Sequence, residues 1–226
     1  MTIFNDKVAN KYDAYFDTKK GRYVWQVETD LMNQLIDIES GMRVLEIGSG
    51  TGIYSIPFVQ QGCIVTGIDI SDEMLEIARQ KVIDQQLNLD FIHMDANALH
   101  FSEHTFDRIY SMGVLDFVDD LERAFEQAYR VLKPGGKISI AVVNRDSAWG
   151  KRYMDPEYNK GKVYAHAHFK NLNELMRIHP EEIIGSGECL FVPPDAEESE
   201  FTLENERLMS DNAGGWINVV WQKKEG

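Results

Sequence analysis

The stretch Arg43-Val44-Leu45-Glu46-Ile47-Gly48-Ser49-Gly50-Thr51-Gly52 decides how this chain is read. A short apolar strand runs directly into three glycines at alternating positions. Glycine lets a backbone turn sharply and approach a ligand closely. A second apolar strand, Cys63-Ile64-Val65-Thr66-Gly67-Ile68, ends in Asp69, seventeen residues beyond Gly52. An acid at the carboxyl end of a second strand can reach paired ribose hydroxyls, as in other nucleoside-binding βαβ units. Together the two features imply a nucleoside cofactor.

Working outward, Val24, Val27, Leu31, Leu35 and Ile36 recur at helical spacing within residues 22–37 and predict an amphipathic helix. Strands are expected at 42–47, 63–69, 89–93, 106–111 and 138–143. Between them, one helix follows Gly52 to about Gln61. A second starts at Ser71 as N-cap and carries the stripe Met74, Leu75, Ala78 and Val82. A third carries Leu121, Ala124, Phe125, Ala128, Val131 and Leu132 and is ended by Lys133-Pro134-Gly135-Gly136. Strands alternating with helices imply an α/β fold: a Rossmann-like, doubly wound, mostly parallel sheet of about seven strands. The last two strands, 187–192 and 215–222, have no convincing crossover helix between them and are expected as a terminal antiparallel pair. Asn171 and Glu174 predict a capping box opening a short helix that ends near Arg177.

The 226 residues, 43% of them hydrophobic, suit one domain with a substantial core. Its expected parts are an N-terminal helical cap (1–40), a cofactor-binding core (41–144), an acceptor-side lid (145–170), and a C-terminal helix with antiparallel strands (171–226). The net charge of −14 argues against a nucleic-acid partner, whose phosphates need Lys and Arg. Asp195, Glu197, Glu198, Glu200, Glu204 and Glu206 read as a solvated acidic face. Cys63 and Cys189 stand far apart in apolar runs and read as small core residues. No apolar run approaches the ~20 residues needed to cross a membrane, so a cytoplasmic protein is expected.

A glycine-rich loop alone is shared by nicotinamide, flavin and S-adenosylmethionine proteins. The dinucleotide pattern is G-x-G-x-x-G, with pyrophosphate resting on a helix N-terminus. Here the spacing is Gly48-x-Gly50-x-Gly52, and Glu46 precedes it. An acid beside the ligand disfavours a pyrophosphate and suits a ligand carrying an ammonium group and a sulfonium.

Over residues 40–144 the chain resembles the class I S-adenosylmethionine-dependent methyltransferases. Val44–Gly52 is similar to their glycine-rich motif, and Gly67-Ile68-Asp69-Ile70-Ser71 to their ribose-binding strand end. His93-Met94-Asp95-Ala96-Asn97-Ala98-Leu99 resembles the segment that recognises the adenine amino group. Phe106–Ser111 resembles their fourth strand, and Leu132–Gly136 the turn before the fifth. The resemblance implies that Gly48, Ser49, Gly50 and Gly52 shape the loop around the methionine portion and ribose. It implies Glu46 for the amino group, Asp69 for the ribose hydroxyls, and Ile70 and Met74 against the adenine. Asp95 and the Ala96 backbone would bind the adenine edge, while Met112 and Gly113 line the methyl-donor end.

Upstream, Tyr12-Asp13-Ala14-Tyr15-Phe16 resembles the aromatic segment that closes over the cofactor in small-molecule methyltransferases. Tyr12 is the expected cofactor contact, with Tyr15 or Phe16 facing the acceptor. The aromatic stretch 144–170 resembles, more loosely, the corresponding region of the ubiquinone/menaquinone-type branch of methyltransferases. His166 and His168 share a side if that segment is extended and are candidate bases, but two histidines make an incomplete metal site, and no metal is expected. The expected function is methyl transfer from S-adenosylmethionine to a small-molecule acceptor whose identity stays open. The competing readings are a non-catalytic S-adenosylmethionine- or partner-binding protein and a nicotinamide-dependent oxidoreductase.

Overall fold

A computed structural model describes residues 3–225; Met1, Thr2 and Gly226, counted above with the two ends of the domain, lie outside the described residues. The chain runs through α1 (Asp6–Phe16), α2 (Lys19–Leu35), β1 (Arg43–Ile47), α3 (Ser55–Gln60), β2 (Ile64–Asp69), α4 (Asp72–Asp84), β3 (Asp90–His93) and β4 (Phe106–Met112). It continues through α5 (Leu121–Val131), β5 (Leu132–Val143), α6 (Ala148–Met154), α7 (Pro156–Asn159), α8 (Leu172–Leu175), β6 (Ile183–Cys189), α9 (Leu203–Leu208) and β7 (Trp216–Gln222).

The strands form one seven-stranded sheet in the order β3-β2-β1-β4-β5-β7-β6. The first five pair in parallel, and β7 is antiparallel to both β5 and β6. Alternation along β1 divides the core. Val44 packs with Val24 of α2, Phe58 of α3 and Leu75 of α4, whereas Leu45 and Ile47 pack with Phe125 and Ala128 of α5. Glu46, in phase with Val44, therefore points to the α2–α3 side. Both faces are covered, as the almost continuous apolar strands require.

The expected helix over 22–37 starts earlier, because Thr18 Oγ1 accepts from the Gly21 N–H and caps α2. Ser71 caps α4 through the Met74 N–H, and Asn171 with Glu174 forms the capping box of α8. Strand β5 begins at Leu132, before the Pro134-Gly135-Gly136 turn rather than after it. Leu132 already pairs with Phe106, and the register slips before the ladder resumes at Lys137. The strand expected at 187–192 lies at 183–189 instead. Leu190 takes a φ of 63°, which an extended strand cannot hold.

That interruption is stabilised by Glu206, which departs from the expected solvated acidic face while Asp195, Glu197, Glu198 and Glu204 are exposed. The Glu206 carboxylate is buried and accepts from the N–H groups of Leu190 and Phe191 and from the Tyr23 hydroxyl. Carboxylate spacing carried no sign of it, because its partners lie on other elements. Cys63 and Cys189 are both buried and free. No helix among the described residues is long and apolar enough to cross a membrane.

Candidate active site

The carboxyl ends of β1, β2 and β4 converge on the glycine-rich loop. The N–H groups of Gly48 and Ser49 both donate to the Ile68 carbonyl at 2.8 Å, which ties the loop to the end of β2. Gly48 has φ 76° and its α-carbon faces Val114 so closely that an added Cβ would lie 2.1 Å from the valine Cγ1. Both facts exclude a larger residue there.

Asp69 ends β2 almost fully buried. Its Oδ2 accepts from the Gly50 N–H and its Oδ1 from the Ser71 N–H, each at 2.9 Å. A carboxylate has about four acceptor positions, so these two bonds leave capacity for further donors. Burial raises its pKa, opposed by these backbone donors. Met74 is buried, and its Cε approaches the Gly50 position. Ile70 beside them is half exposed.

Glu46 is completely buried on the same side. Its Oε2 accepts from the hydroxyls of Ser55 and Tyr110, while Oε1 has no partner among the described residues. Burial pushes its pKa from the ordinary 4.5 up to about 8. A buried acceptor without a donor is costly, and a ligand ammonium group would satisfy it. The residues present thus fit the α-amino group and ribose of a nucleoside amino acid.

Asp95 follows β3 and is exposed, its Oδ1 accepting from the Asn97 N–H within a turn that also contains Ala96. Met112 ends β4 and is buried; Gly113 has φ 75° and packs against Trp216. Asp95 and Ala96 follow β3, one strand beyond Asp69 in the sheet. Glu46, Asp69, Asp95 and Met112 thus lie near or just beyond the carboxyl ends of β1, β2, β3 and β4, which are neighbours in the sheet.

Helix α1 lies across this edge. Asp13 Oδ1 accepts from the Thr51 hydroxyl at 2.6 Å, and Asp13 Oδ2 pairs with Lys81 Nζ at 2.5 Å. Lys81 also donates to the Thr51 carbonyl, and the Ser71 hydroxyl donates to the Phe4 carbonyl. Tyr12, next to Asp13, packs edge-on against Phe16 at 5.3 Å. Burial raises the Tyr12 pKa well above the ordinary phenol range, and Glu28, Tyr164, Glu46 and Asp69 raise it further. Tyr12 thus lies within electrostatic reach of both acids of the glycine-rich region and of Glu28 on α2.

The condition that would put His166 and His168 on one side, an extended segment through both, is not met. Residues Val163–His166 form a turn of 3₁₀ helix, and the two imidazoles are exposed. The His168 N–H donates to the Asp116 carbonyl, and its ring faces Asp119 at 3.6 Å. No group of three His, Cys, Asp or Glu able to hold a metal occurs among the described residues.

Two residues that the sequence reading missed are Glu28 and Asp116. Glu28 interrupts the apolar stripe of α2, between Val24, Val27 and Leu31, and that interruption was its sequence signal. Asp116 lies four residues beyond the end of β4, just past the two positions that were singled out. A groove of about 480 Å³ lies between α2 and α3, lined by Trp25, Met32, Tyr54 and Phe58.

With this geometry in view, residues 45–140 match the sequence family of the methyltransferase domain. The chain is 30% identical to a ubiquinone/menaquinone biosynthesis C-methyltransferase of Pseudoalteromonas translucida, over 77% of this chain and 74% of that protein. The chain belongs to the class I S-adenosylmethionine-dependent methyltransferases. It is also 34% identical to a ubiquinone biosynthesis O-methyltransferase of Coxiella burnetii, covering 65% of this chain and 62% of that protein. A solved Thermotoga maritima methyltransferase, described as a possible histamine N-methyltransferase, superposes with a TM-score of 0.77 at 26% identity. The superposition covers 98% of this chain and 99% of that one. This methyltransferase therefore uses S-adenosylmethionine and releases S-adenosylhomocysteine.

Proposed function

We propose that the methyltransferase holds its cofactor with the residues gathered at the carboxyl edge of the sheet and transfers the methyl group to a small, free acceptor. Bound there, S-adenosylmethionine supplies an electrophilic methyl group on a positively charged sulfur. Asp69 takes the ribose hydroxyls with its remaining acceptor capacity, and Glu46 Oε1 takes the ammonium group. Met74 and Ile70 flank the adenine, and Asp95 with the Ala96 backbone meets its edge. Met112 and Gly113 line the methyl-bearing end. Gly48, Ser49, Gly50 and Gly52 keep the loop low enough for the ligand to lie on it.

The chain's remaining work is positioning and drying. Alignment of two reactants contributes roughly 7–11 kcal/mol, more than one general base supplies. Helix α1 would exclude water from above, with Tyr12 against the cofactor and Tyr15 or Phe16 toward the acceptor. In this layout residues 1–40 act as cap, 41–144 as cofactor-binding core, 145–170 as acceptor lid, and 171–226 as the closing edge. The two free cysteines suit a cytoplasmic protein. Related proteins methylate oxygen and carbon acceptors by name, so kinship leaves the accepting atom open.

The observation that carries the site assignment is the pair of acids with unused acceptor positions, Glu46 Oε1 and Asp69, on one glycine loop. Calorimetric titration with S-adenosylhomocysteine tests it, with NADH as control. Stoichiometric binding of the former that Asp69→Ala abolishes is expected. Binding that survives both Asp69→Ala and Glu46→Gln would remove the assignment.

A further inference from the structure

Glu28 of α2 is 4% exposed, and its Oε2 accepts from the Tyr54 hydroxyl at 2.6 Å. An apolar pair would fill this space without desolvating a carboxyl group, so packing alone does not account for the bond. Tyr54 is buried and stands immediately before α3, at its N-cap position. Its ring meets Phe16 of α1 edge-on, with 6.4 Å between centroids. One tyrosine therefore touches α1 and α2 while it opens α3.

The residue that follows it acts on the candidate cofactor site. Ser55 is fully buried and donates its hydroxyl to Glu46 Oε2. The Tyr110 hydroxyl of β4 donates to the same oxygen at 3.1 Å. Two donors on Oε2 decide which carboxyl oxygen is held and which is free, and Oε1 has no partner among the described residues. Consecutive α-carbons stay about 3.8 Å apart across a planar peptide, so a shift of Tyr54 moves Ser55 with it. The Ile56 N–H, bonded to the Gly52 carbonyl at 3.0 Å, ties the same turn to the glycine-rich loop.

Helix α3 has only six residues. So short a helix owes its placement to tertiary contacts more than to its own hydrogen-bond ladder. At an N-cap, Ser, Thr, Asp or Asn would turn its side chain back on the helix; the Tyr54 hydroxyl is committed to Glu28 instead. Resting on the cofactor reading above, we propose that Glu28 is a positioning residue for the cofactor's ammonium group. Through Tyr54 it sets the first turn of α3, and through Ser55 that turn aims Glu46 Oε1. The consequence is selectivity: the Glu28–Tyr54 bond favours a nucleoside that carries the amino acid over one that lacks it.

The test compares two probes by calorimetry, S-adenosylhomocysteine and methylthioadenosine, which keeps the adenosine and the sulfur but lacks the amino-acid portion. The parent protein is expected to prefer S-adenosylhomocysteine by about tenfold or more, and Glu46→Gln to shrink that preference. Tyr54→Phe removes a single oxygen and is expected to shrink it by about fivefold, with methylthioadenosine affinity within about twofold of the parent. Glu28→Ala is expected to act in the same direction. Glu28→Gln, whose amide oxygen still accepts from Tyr54, is expected to keep the parent preference. A merely structural role would lower the melting temperature and both affinities together. A preference unchanged in Tyr54→Phe, an equal fall for both probes, or a Glu28→Gln variant as impaired as Glu28→Ala overturns the positioning role and leaves Glu46 assigned. A parent without the preference, or a preference that Glu46→Gln leaves intact, removes the Glu46 assignment and this inference together.

Discussion

Asp69 and Glu46 are both buried acids, yet their surroundings assign them different work. Asp69 is held by two backbone N–H groups, which fixes its position and leaves acceptor capacity outward. Asp69→Asn keeps the shape but weakens charge-assisted bonds worth roughly 1.5–3 kcal/mol each. Calorimetry is expected to show S-adenosylhomocysteine affinity falling by about ten- to a hundredfold. Glu46 has its pKa raised by burial to about 8, so at pH 6 the empty site holds it protonated. Binding an ammonium group requires the ionised form. Affinity should therefore rise between pH 6 and 8 with proton release to the buffer, and Glu46→Gln should flatten that profile while lowering affinity throughout.

At the scale of elements, the polar contacts that attach α1 include those of Asp13. Asp13 joins it to Thr51 at the glycine-rich loop and to Lys81 on α4, and the Phe4 carbonyl just before the helix accepts from Ser71. The Asp13–Lys81 pair is partly exposed, so it contributes little to global stability, within about 1 kcal/mol. Its effect belongs to local opening. In Asp13→Ala, amide exchange is expected to quicken across residues 8–16 while the melting temperature moves only a few degrees. Equal protection of α1 in variant and parent would show that apolar packing alone seats it. The latch was beyond sequence reading because its members are thirty-eight and sixty-eight residues apart.

For the whole molecule, buried acids set the response to pH. Glu28 and Glu46 each rise from 4.5 to about 8, and Asp116 from 3.8 to about 7, with burial as the main cause. An acid whose folded pKa exceeds its unfolded one binds more protons when folded. Stability must then fall as pH rises from the ordinary carboxylate range through about 8. Thermal unfolding of ligand-free protein is expected to show a lower melting temperature at pH 8.5 than at pH 6. Glu28→Gln should shrink that difference, and an opposite slope would mean these acids are solvated or paired in the free protein. Saturation with S-adenosylhomocysteine should also shrink it, because an ammonium group beside Glu46 stabilises the ionised acid.

The sequence by itself determined the order of strands and helices, the parallel core with its antiparallel edge, and the glycine-rich loop with Glu46 and Asp69. Each of these rests on local physics: apolar periodicity, caps such as Ser71, and glycines that no other residue replaces at positive φ. Segment ends were less legible where distant groups decide them. Strand β6 stops at Leu190 because Glu206, sixteen residues later, takes its N–H, and that also turned an expected surface acid into a buried one. Only the tertiary structure tied α1 to the glycine-rich loop and to α4 through Asp13, and left the imidazoles of His166 and His168 exposed. Only the tertiary structure, too, buried Glu28 and Asp116. Each is covered by elements distant in sequence, so no local pattern records the burial that covering the sheet's two faces imposes.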